Sequence, residues 1–278
     1  MDIQHAKRTF LCECMGSSFA AADLANIEFF WPGPAPRAGQ FFLIRPERTG
    51  VFLARPISVA GWSPAQGEGS TIRFLVAMRG QGSRDLADLK PGEKAELIGP
   101  LGNSWAETAG FPDNSMNDSA SAEAASKPLA LVAGGVGIAP LLAFIQEMEM
   151  RPDAVPQTRV LFDLYAGFRT GSFGLENLKP RTLVVATEDG SMGKKGRIPD
   201  FFKPDGYSVV FACGPEPMLK AVGAKCTASG TPCFISMEKH MACGVGACLG
   251  CRIKTKDGNR SCCSDGPIFN FREIIFNE

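Results

Sequence analysis

Three cysteines, Cys243, Cys248 and Cys251, stand at C-x4-C-x2-C spacing within Met241-Ala242-Cys243-Gly244-Val245-Gly246-Ala247-Cys248-Leu249-Gly250-Cys251. This is the spacing of plant-type [2Fe–2S] sites. Two irons need four thiolates, so a tight loop must turn three sulfurs inward. Gly244, Gly246 and Gly250 suit that task, because glycine permits unusual dihedrals and lets backbone N–H groups approach sulfur. Structural zinc also takes four thiolates, but its sites more often show two separated C-x2-C pairs, and a single pair is present here. The fourth ligand is Cys262 or Cys263, and spacing does not choose between them. Cys12, Cys14, Cys226 and Cys233 fall in no such pattern and read as small core residues.

Five of the ten cysteines lie between Cys243 and Cys263, a bunching that points to a metal or cluster rather than to disulfides. With two histidines, His5 and His240, chemistry built on a His base or a His-rich metal site is nearly excluded. The 29 basic and 29 acidic residues cancel, so no global charge favours nucleic acid or an anionic membrane. No apolar run reaches the roughly 18–20 residues of a membrane-spanning helix. Met1-Asp2-Ile3-Gln4-His5 lacks a basic-then-apolar secretory pattern. A cytoplasmic location is therefore expected.

The 278 residues show three textures, which predict a multidomain chain. Over 1–102, short apolar stretches broken by Gly and Pro (Gln40–Ile44, Pro56–Ala60, Ile72–Val76 and Ala95–Ile98) predict an antiparallel β-barrel. Residues 103–127 are small and polar, for example Asn114-Ser115-Met116-Asn117-Asp118-Ser119, and predict a flexible insertion. Over 128–230, strand candidates at Leu129–Ala133, Val160–Tyr165, Leu183–Ala186 and Ser208–Ala212 alternate with helical stretches, predicting an α/β domain with a parallel sheet. Residues 231–278 form the cysteine-rich end.

Gly134-Gly135-Val136-Gly137 follows a strand and precedes a helix opening at Pro140, so it is a plausible pyrophosphate seat. The full G-x-G-x-x-G pattern is not met, since Pro140 stands where the third glycine would fall; proline suits a first helical turn. Cys213-Gly214-Pro215 and Thr187-Glu188-Asp189-Gly190-Ser191 also follow strands, where open α/β sheets hold ligands. Arg55-Pro56-Ile57-Ser58 carries a cation able to grip a phosphate bidentately and a hydroxyl able to reach a flavin ring atom. Read alone, it is better taken as a strand with an exposed Arg. Gly80-Gln81-Gly82-Ser83 and Gly99-Pro100-Leu101-Gly102-Asn103 read first as turns.

In this order the motifs resemble the ferredoxin-reductase-like flavoproteins, and most closely the electron-transfer subunits of two-subunit dihydroorotate dehydrogenases. The likeness runs over nearly the whole chain, with 103–127 as its main departure. It implies a six-stranded barrel for FAD, an α/β domain for NAD(H) and a C-terminal [2Fe–2S] domain. It further implies that Arg55, Pro56, Ile57 and Ser58 form the flavin motif, with Ser58 near the isoalloxazine and Arg55 near the pyrophosphate. Leu75, Val76 and Ala77 match a second flavin strand. Gly82 and Ser83 match a Gly-Thr phosphate contact in which Ser keeps the hydroxyl. Gly134, Gly135, Gly137 and Pro140 match the nucleotide loop, and Cys213, Gly214 and Pro215 the loop beside the nicotinamide. Finally, Cys263-Ser264-Asp265-Gly266-Pro267 matches the end of the cluster motif, which selects Cys263 to join Cys243, Cys248 and Cys251.

The resemblance implies an oxidoreductase subunit in a hetero-oligomer, a heterotetramer, with a flavin-containing partner that oxidises dihydroorotate in pyrimidine biosynthesis. It assigns this chain no catalytic acid or base. A competing assignment is the small subunit of a bifurcating NADH-dependent ferredoxin:NADP oxidoreductase, or of a related hydrogenase or sulfide reductase. A non-enzymatic alternative is a redox-sensing or zinc-stabilised binding module. Arg169 is a candidate contact for a 2′-phosphate, or a solvated loop charge.

Overall fold

The computed structural model describes residues 8–65, 67–110, 127–150 and 161–276. His5, Val160 and the polar stretch 111–126 lie outside the described residues.

Six antiparallel strands, β1 (Arg8–Ala21), β2 (Leu24–Trp31), β3 (Phe41–Pro46), β4 (Arg55–Pro64), β5 (Ser70–Ala77) and β6 (Lys94–Leu101), close into a barrel in the order β1-β2-β5-β4-β3-β6. The period-2 alternation of strands sets its inside. In β2, Ile27, Phe29 and Trp31 are buried, while Glu28 and Phe30 between them are not. Trp31 meets Phe10, and Phe42 meets both Trp31 and Phe74, edge to face at centroid distances of 5.1, 4.9 and 5.7 Å. A short helix, α1 (Gln81–Ala87), joins β5 to β6.

The second unit is a seven-stranded sheet. Its strands are β7 (Leu129–Gly134), β8 (Phe162–Phe168), β9 (Thr182–Thr187), β10 (Lys194–Lys195), β11 (Val210–Cys213), β12 (Cys233–Ser236) and β15 (Ile268–Asn270), in the order β10-β9-β8-β7-β11-β12-β15. All neighbours are parallel except β15, which runs antiparallel to β12. Every residue of β7 is buried, as a central parallel strand covered on both faces requires. Its alternate residues feed two cores. Leu131 and Ala133 join the core shared with the barrel and the helix Ala139–Glu149, whereas Ala130 and Val132 join the one under the helix Glu216–Ser229.

Two boundaries differ from the composition. β12 begins inside the cysteine-rich segment yet pairs with β11, Val210 opposite Cys233. With β15 it stitches that segment onto the sheet, leaving mainly the hairpin of β13 (Arg252–Thr255) and β14 (Gly258–Ser261) and the cysteine loop outside it. A four-residue strand carries too little pattern to be read from composition. Likewise, the start of the polar insertion is packed core: in α2 (Trp105–Thr108), capped by Ser104, Trp105 is fully buried and donates from Nε1 to the Pro140 carbonyl at 3.3 Å.

The remaining helices are α3 (Ala139–Glu149), α4 (Ile198–Phe201) and α5 (Glu216–Ser229). α3 locks the units together: Gln146 Oε1 accepts from Trp62 N at 3.2 Å, and Glu147 accepts from Ala38 N at 3.0 Å. Among the described residues no helix is long and apolar enough to cross a membrane.

Candidate functional site

Pairing between β4 and β5 runs only from Val59 opposite Phe74 to Pro64 opposite Ser70. Beyond it, Arg55–Ser58 pair on their other side with Ile44–Phe41, and Leu75–Ala77 with Asn26–Leu24. The two stretches expected to contact flavin thus stand on the two sides of a seam in the barrel wall. Arg55, Pro56, Ile57 and Ser58 are all half-buried, whereas Leu75 and Val76 are buried. Among the described residues Arg55 makes no ion pair and the Ser58 hydroxyl no hydrogen bond. The Arg55 guanidinium lies over Gly82, where a β-carbon would come within 2.7 Å of Nε. A side chain at Gly82 would displace the guanidinium from this place.

Ser83 is bonded within its own turn. Its hydroxyl accepts from Arg79 N (2.9 Å) and Gly80 N (3.0 Å) and donates to the Gly80 carbonyl (2.8 Å). That proton is committed within the turn, so Ser83 shapes the entry to α1 instead of offering its hydroxyl outward.

In the sheet, β8 and β9 extend to one side of β7 and β11 and β12 to the other, so chain order reverses between β7 and β11. Open α/β sheets bind ligands at that point, beyond the carboxyl ends of the strands. Both expected nucleotide loops end there. Gly135–Ile138 form a 3-10 turn leading into α3, with Pro140 in the first helical turn. A β-carbon at Gly137 would strike the Cys213 carbonyl and lie 2.7 Å from Gly214 N. Gly137→Ala is therefore expected to cost about 1–3 kcal/mol in stability through overpacking and to raise the KM for NADH with an artificial acceptor, at unchanged flavin and iron content. An unchanged KM would separate this contact from nucleotide binding.

Cys213 is buried, and burial pushes its thiol pKa well up. Thr187–Ser191 form a turn: Asp189 accepts from Ser191 N at 2.9 Å and is held down to about 2 by Ser191, and Ser191 Oγ accepts from Gly171 N at 2.9 Å. Arg169, beside it, is exposed.

The cysteine loop is folded around its sulfurs. Cys243 Sγ accepts N–H groups of Val245 and Cys248, both at 3.4 Å, which hold its thiol down to about 6. Cys263 Sγ accepts from Gly246 N at 3.1 Å, while burial and then the adjacent Cys251 thiol push it up to about 12. The four thiols are neighbours in the loop, Cys243 influencing Cys248 and Cys263, and Cys251 influencing Cys263, as a cluster held by four thiolates calls for. Among the described residues no three candidate ligands converge on a single ion position. Cys262 is turned away, its buried thiol donating to the Met237 carbonyl at 3.1 Å. Gly244 and Gly246 have left-handed φ of 66° and 81°; Gly250 does not, and Leu249 takes that role at 59°. Cys12, Cys14, Cys226 and Cys233 are buried in the cores.

The loop seats on the barrel. Gly244 packs on Leu43 of β3 and Leu101 of β6. Asn103 clamps the return segment: its Nδ2 donates to the carbonyls of Asp265 (3.2 Å) and Ile268 (2.9 Å), and its Oδ1 accepts from Ile268 N (3.0 Å). Sequence reading missed this clamp, because its partners lie some 160 positions downstream.

The profile of the "iron-sulfur cluster binding domain of dihydroorotate dehydrogenase B" matches residues 238–275. The dihydroorotate dehydrogenase B (NAD(+)) electron transfer subunit of Clostridium acetobutylicum is 38% identical over 244 residues, 87% of each chain. That of Caldanaerobacter subterraneus subsp. tengcongensis is 32% identical over 263 residues, covering 92% of this chain and 94% of the relative. Among solved structures, one of an NADH-dependent reduced ferredoxin-NADP oxidoreductase, studied for flavin-based electron bifurcation, superposes with a TM-score of 0.74 at 26% identity, covering 96% of this chain and 90% of that one. With a barrel, a nucleotide-type sheet and the cysteine loop all in place, the chain belongs to the family of dihydroorotate dehydrogenase B electron transfer subunits.

Proposed function

We propose that this chain carries electrons between NAD(H) and a flavin-bearing partner that oxidises dihydroorotate, using FAD and a [2Fe–2S] cluster as its own carriers. The carrying observation is that one strand, β3, separates the flavin motif from the cysteine loop. Leu43 pairs with Pro56 along the sheet, and its side chain meets Gly244. Adjacent strands lie about 4.8 Å apart, so the segments that would hold the two carriers are neighbours across one strand.

Bound FAD would supply conversion between two-electron hydride chemistry and the one-electron steps of an iron–sulfur cluster. Around it, Arg55 would hold the pyrophosphate over Gly82, the free Ser58 hydroxyl would orient the isoalloxazine, and Pro56, Ile57 and Leu75–Ala77 would line the seam. Ser83 fixes the turn that presents Gly82. Gly134, Gly135, Gly137 and Pro140 would seat the NAD pyrophosphate, and Cys213, Gly214 and Pro215 the nicotinamide side. Cys243, Cys248, Cys251 and Cys263 would hold the cluster, which suits a reducing cytoplasm.

Removing the cation tests the flavin assignment. Losing a charge-assisted bidentate contact worth about 1.5–3 kcal/mol, Arg55→Ala should bind FAD roughly 10- to 100-fold more weakly, seen as loss of flavin on dialysis with iron retained. The whole reading is tested by an anaerobic visible spectrum with iron, zinc and flavin assays, followed by NADH titration. One FAD and two irons per chain, both chromophores bleached by NADH, is the expected result. Zinc in place of iron, or no flavin in protein kept from oxygen, would overturn it. The ferredoxin-NADP oxidoreductase likeness favours a second partner class: a large subunit with additional iron–sulfur clusters, rather than a dihydroorotate-oxidising one, would select it.

A further inference from the structure

Phe52 is the most exposed large apolar side chain among the described residues, at 88%, against 63% for the next, Phe19. A single exposed apolar residue is ordinary, but the setting of this one is not, because both of its flanks are fastened to α1. Upstream, Thr49 Oγ1 donates to Asp85 of α1 at 2.6 Å and accepts from Val51 N at 3.1 Å. Arg48 donates to the Asp88 carbonyl at 3.3 Å and pairs with Glu93 at 3.1 Å. Downstream, Arg55 lies over Gly82 in the first turn of the same helix. The ring is therefore out in water on an anchored loop, and its Cα lies three residues from that of Arg55, a backbone span of at most about 11 Å.

We propose that Phe52 is the platform on which the adenine of bound FAD stacks; this rests on the assignment of Ser58 and Arg55 to the flavin ring and the pyrophosphate. An extended FAD places its pyrophosphate midway between its two ring systems. Arg55 likewise stands midway between Ser58 and Phe52, three residues from each. A purine needs an aromatic or apolar face and no particular hydrogen bond to stack, and a loop already anchored at its flanks loses less entropy in providing it.

The test uses the full, cluster-containing chain freed of flavin, with FAD and FMN rebinding followed by quenching of flavin fluorescence. FMN lacks the adenosine half, so the two ligands separate this contact from general damage to the loop. Phe52→Ala is expected to weaken FAD about tenfold or more, the size of one lost base–aromatic stack, with FMN affinity unchanged. Phe52→Trp is expected to keep FAD affinity. Equal losses for both flavins, or none for either, would overturn the proposal. So would a Phe52→Ala protein that binds FAD normally but no longer associates with its flavin-bearing partner, since the ring would then be a partner contact. Wild-type protein that binds neither flavin would overturn the assignment of the seam itself, and the platform with it.

Discussion

Cys263→Ala is expected to abolish the [2Fe–2S] absorption and the EPR signal of the reduced protein, and to cut partner-coupled electron transfer to background. NADH reduction of the flavin should persist. Cys262→Ala, one residue away, is expected to keep all three. The two sulfurs differ by environment. Cys263 Sγ accepts a backbone N–H from Gly246 at 3.1 Å and touches the Cys251 thiol, the kind of arrangement that stabilises a ligating thiolate. Cys262 Sγ is spent as a donor to the Met237 carbonyl at 3.1 Å, away from the loop; burial pushes both thiols up, so direction and not pKa separates them. Alanine there removes one weak buried hydrogen bond. Iron lost from Cys262→Ala and kept in Cys263→Ala would move the fourth ligand by one residue.

Arg181→Ala is expected to destabilise the fold strongly. Asp163 in β8 is almost fully buried and receives Arg181 Nε at 2.9 Å, Arg181 Nη2 at 2.7 Å and the Tyr207 hydroxyl at 2.7 Å; Tyr207 in turn pairs with Tyr165 at 2.8 Å. Burial alone would raise the carboxyl pKa, but the bonds from Arg181 and Tyr207 and the guanidinium charge outweigh it and hold Asp163 below the ordinary carboxylate range. Removing Arg181 leaves a buried carboxylate with only the hydroxyls of Tyr207 and Thr182 beside it and no countercharge. Such losses cost about 3–5 kcal/mol when both partners are buried. Here the Arg181 side chain is 47% exposed, so about 2–4 kcal/mol is expected, read as a lower urea midpoint at unchanged slope. The sign of the pH dependence follows. A carboxyl depressed in the folded state stabilises above its unfolded pKa of about 3.9, and that contribution is lost as pH falls through the folded value. The wild-type advantage over Arg181→Ala should therefore be full well above the variant's Asp163 pKa, which loss of the guanidinium raises, and should shrink as pH falls from that value to the depressed wild-type one. An advantage independent of pH would mean that Arg181 contributes packing rather than charge.

Much of this architecture was legible in the chain because its signals are local. Cys243, Cys248 and Cys251 carry their chemistry in spacing alone, since one loop must deliver three sulfurs. Strands β3, β4, β5, β7, β9 and β11 were visible as apolar runs bounded by glycine and proline, and the alternation of strands and helices after Leu129 specified a parallel sheet. What required tertiary structure depends on partners distant in sequence or on the direction of a single side chain. Spacing could not separate Cys262 from Cys263; the orientation of adjacent thiols, one toward Met237 and one toward Gly246 and Cys251, distinguishes them. Ser83 looked like a phosphate contact, yet its one proton goes to Gly80. Trp105 sat at the edge of a polar stretch, and only the folded chain shows it closing the core over Phe211 at 5.3 Å. Asn103 became a clamp because closure of the barrel brings it against Asp265 and Ile268. Local pattern determined which groups this protein carries, since spacing and periodicity act along the chain. The packing of β3 between the Arg55–Ser58 strand and the cysteine loop was decided by tertiary structure, because that neighbourhood exists only once three sequence-distant segments share one wall.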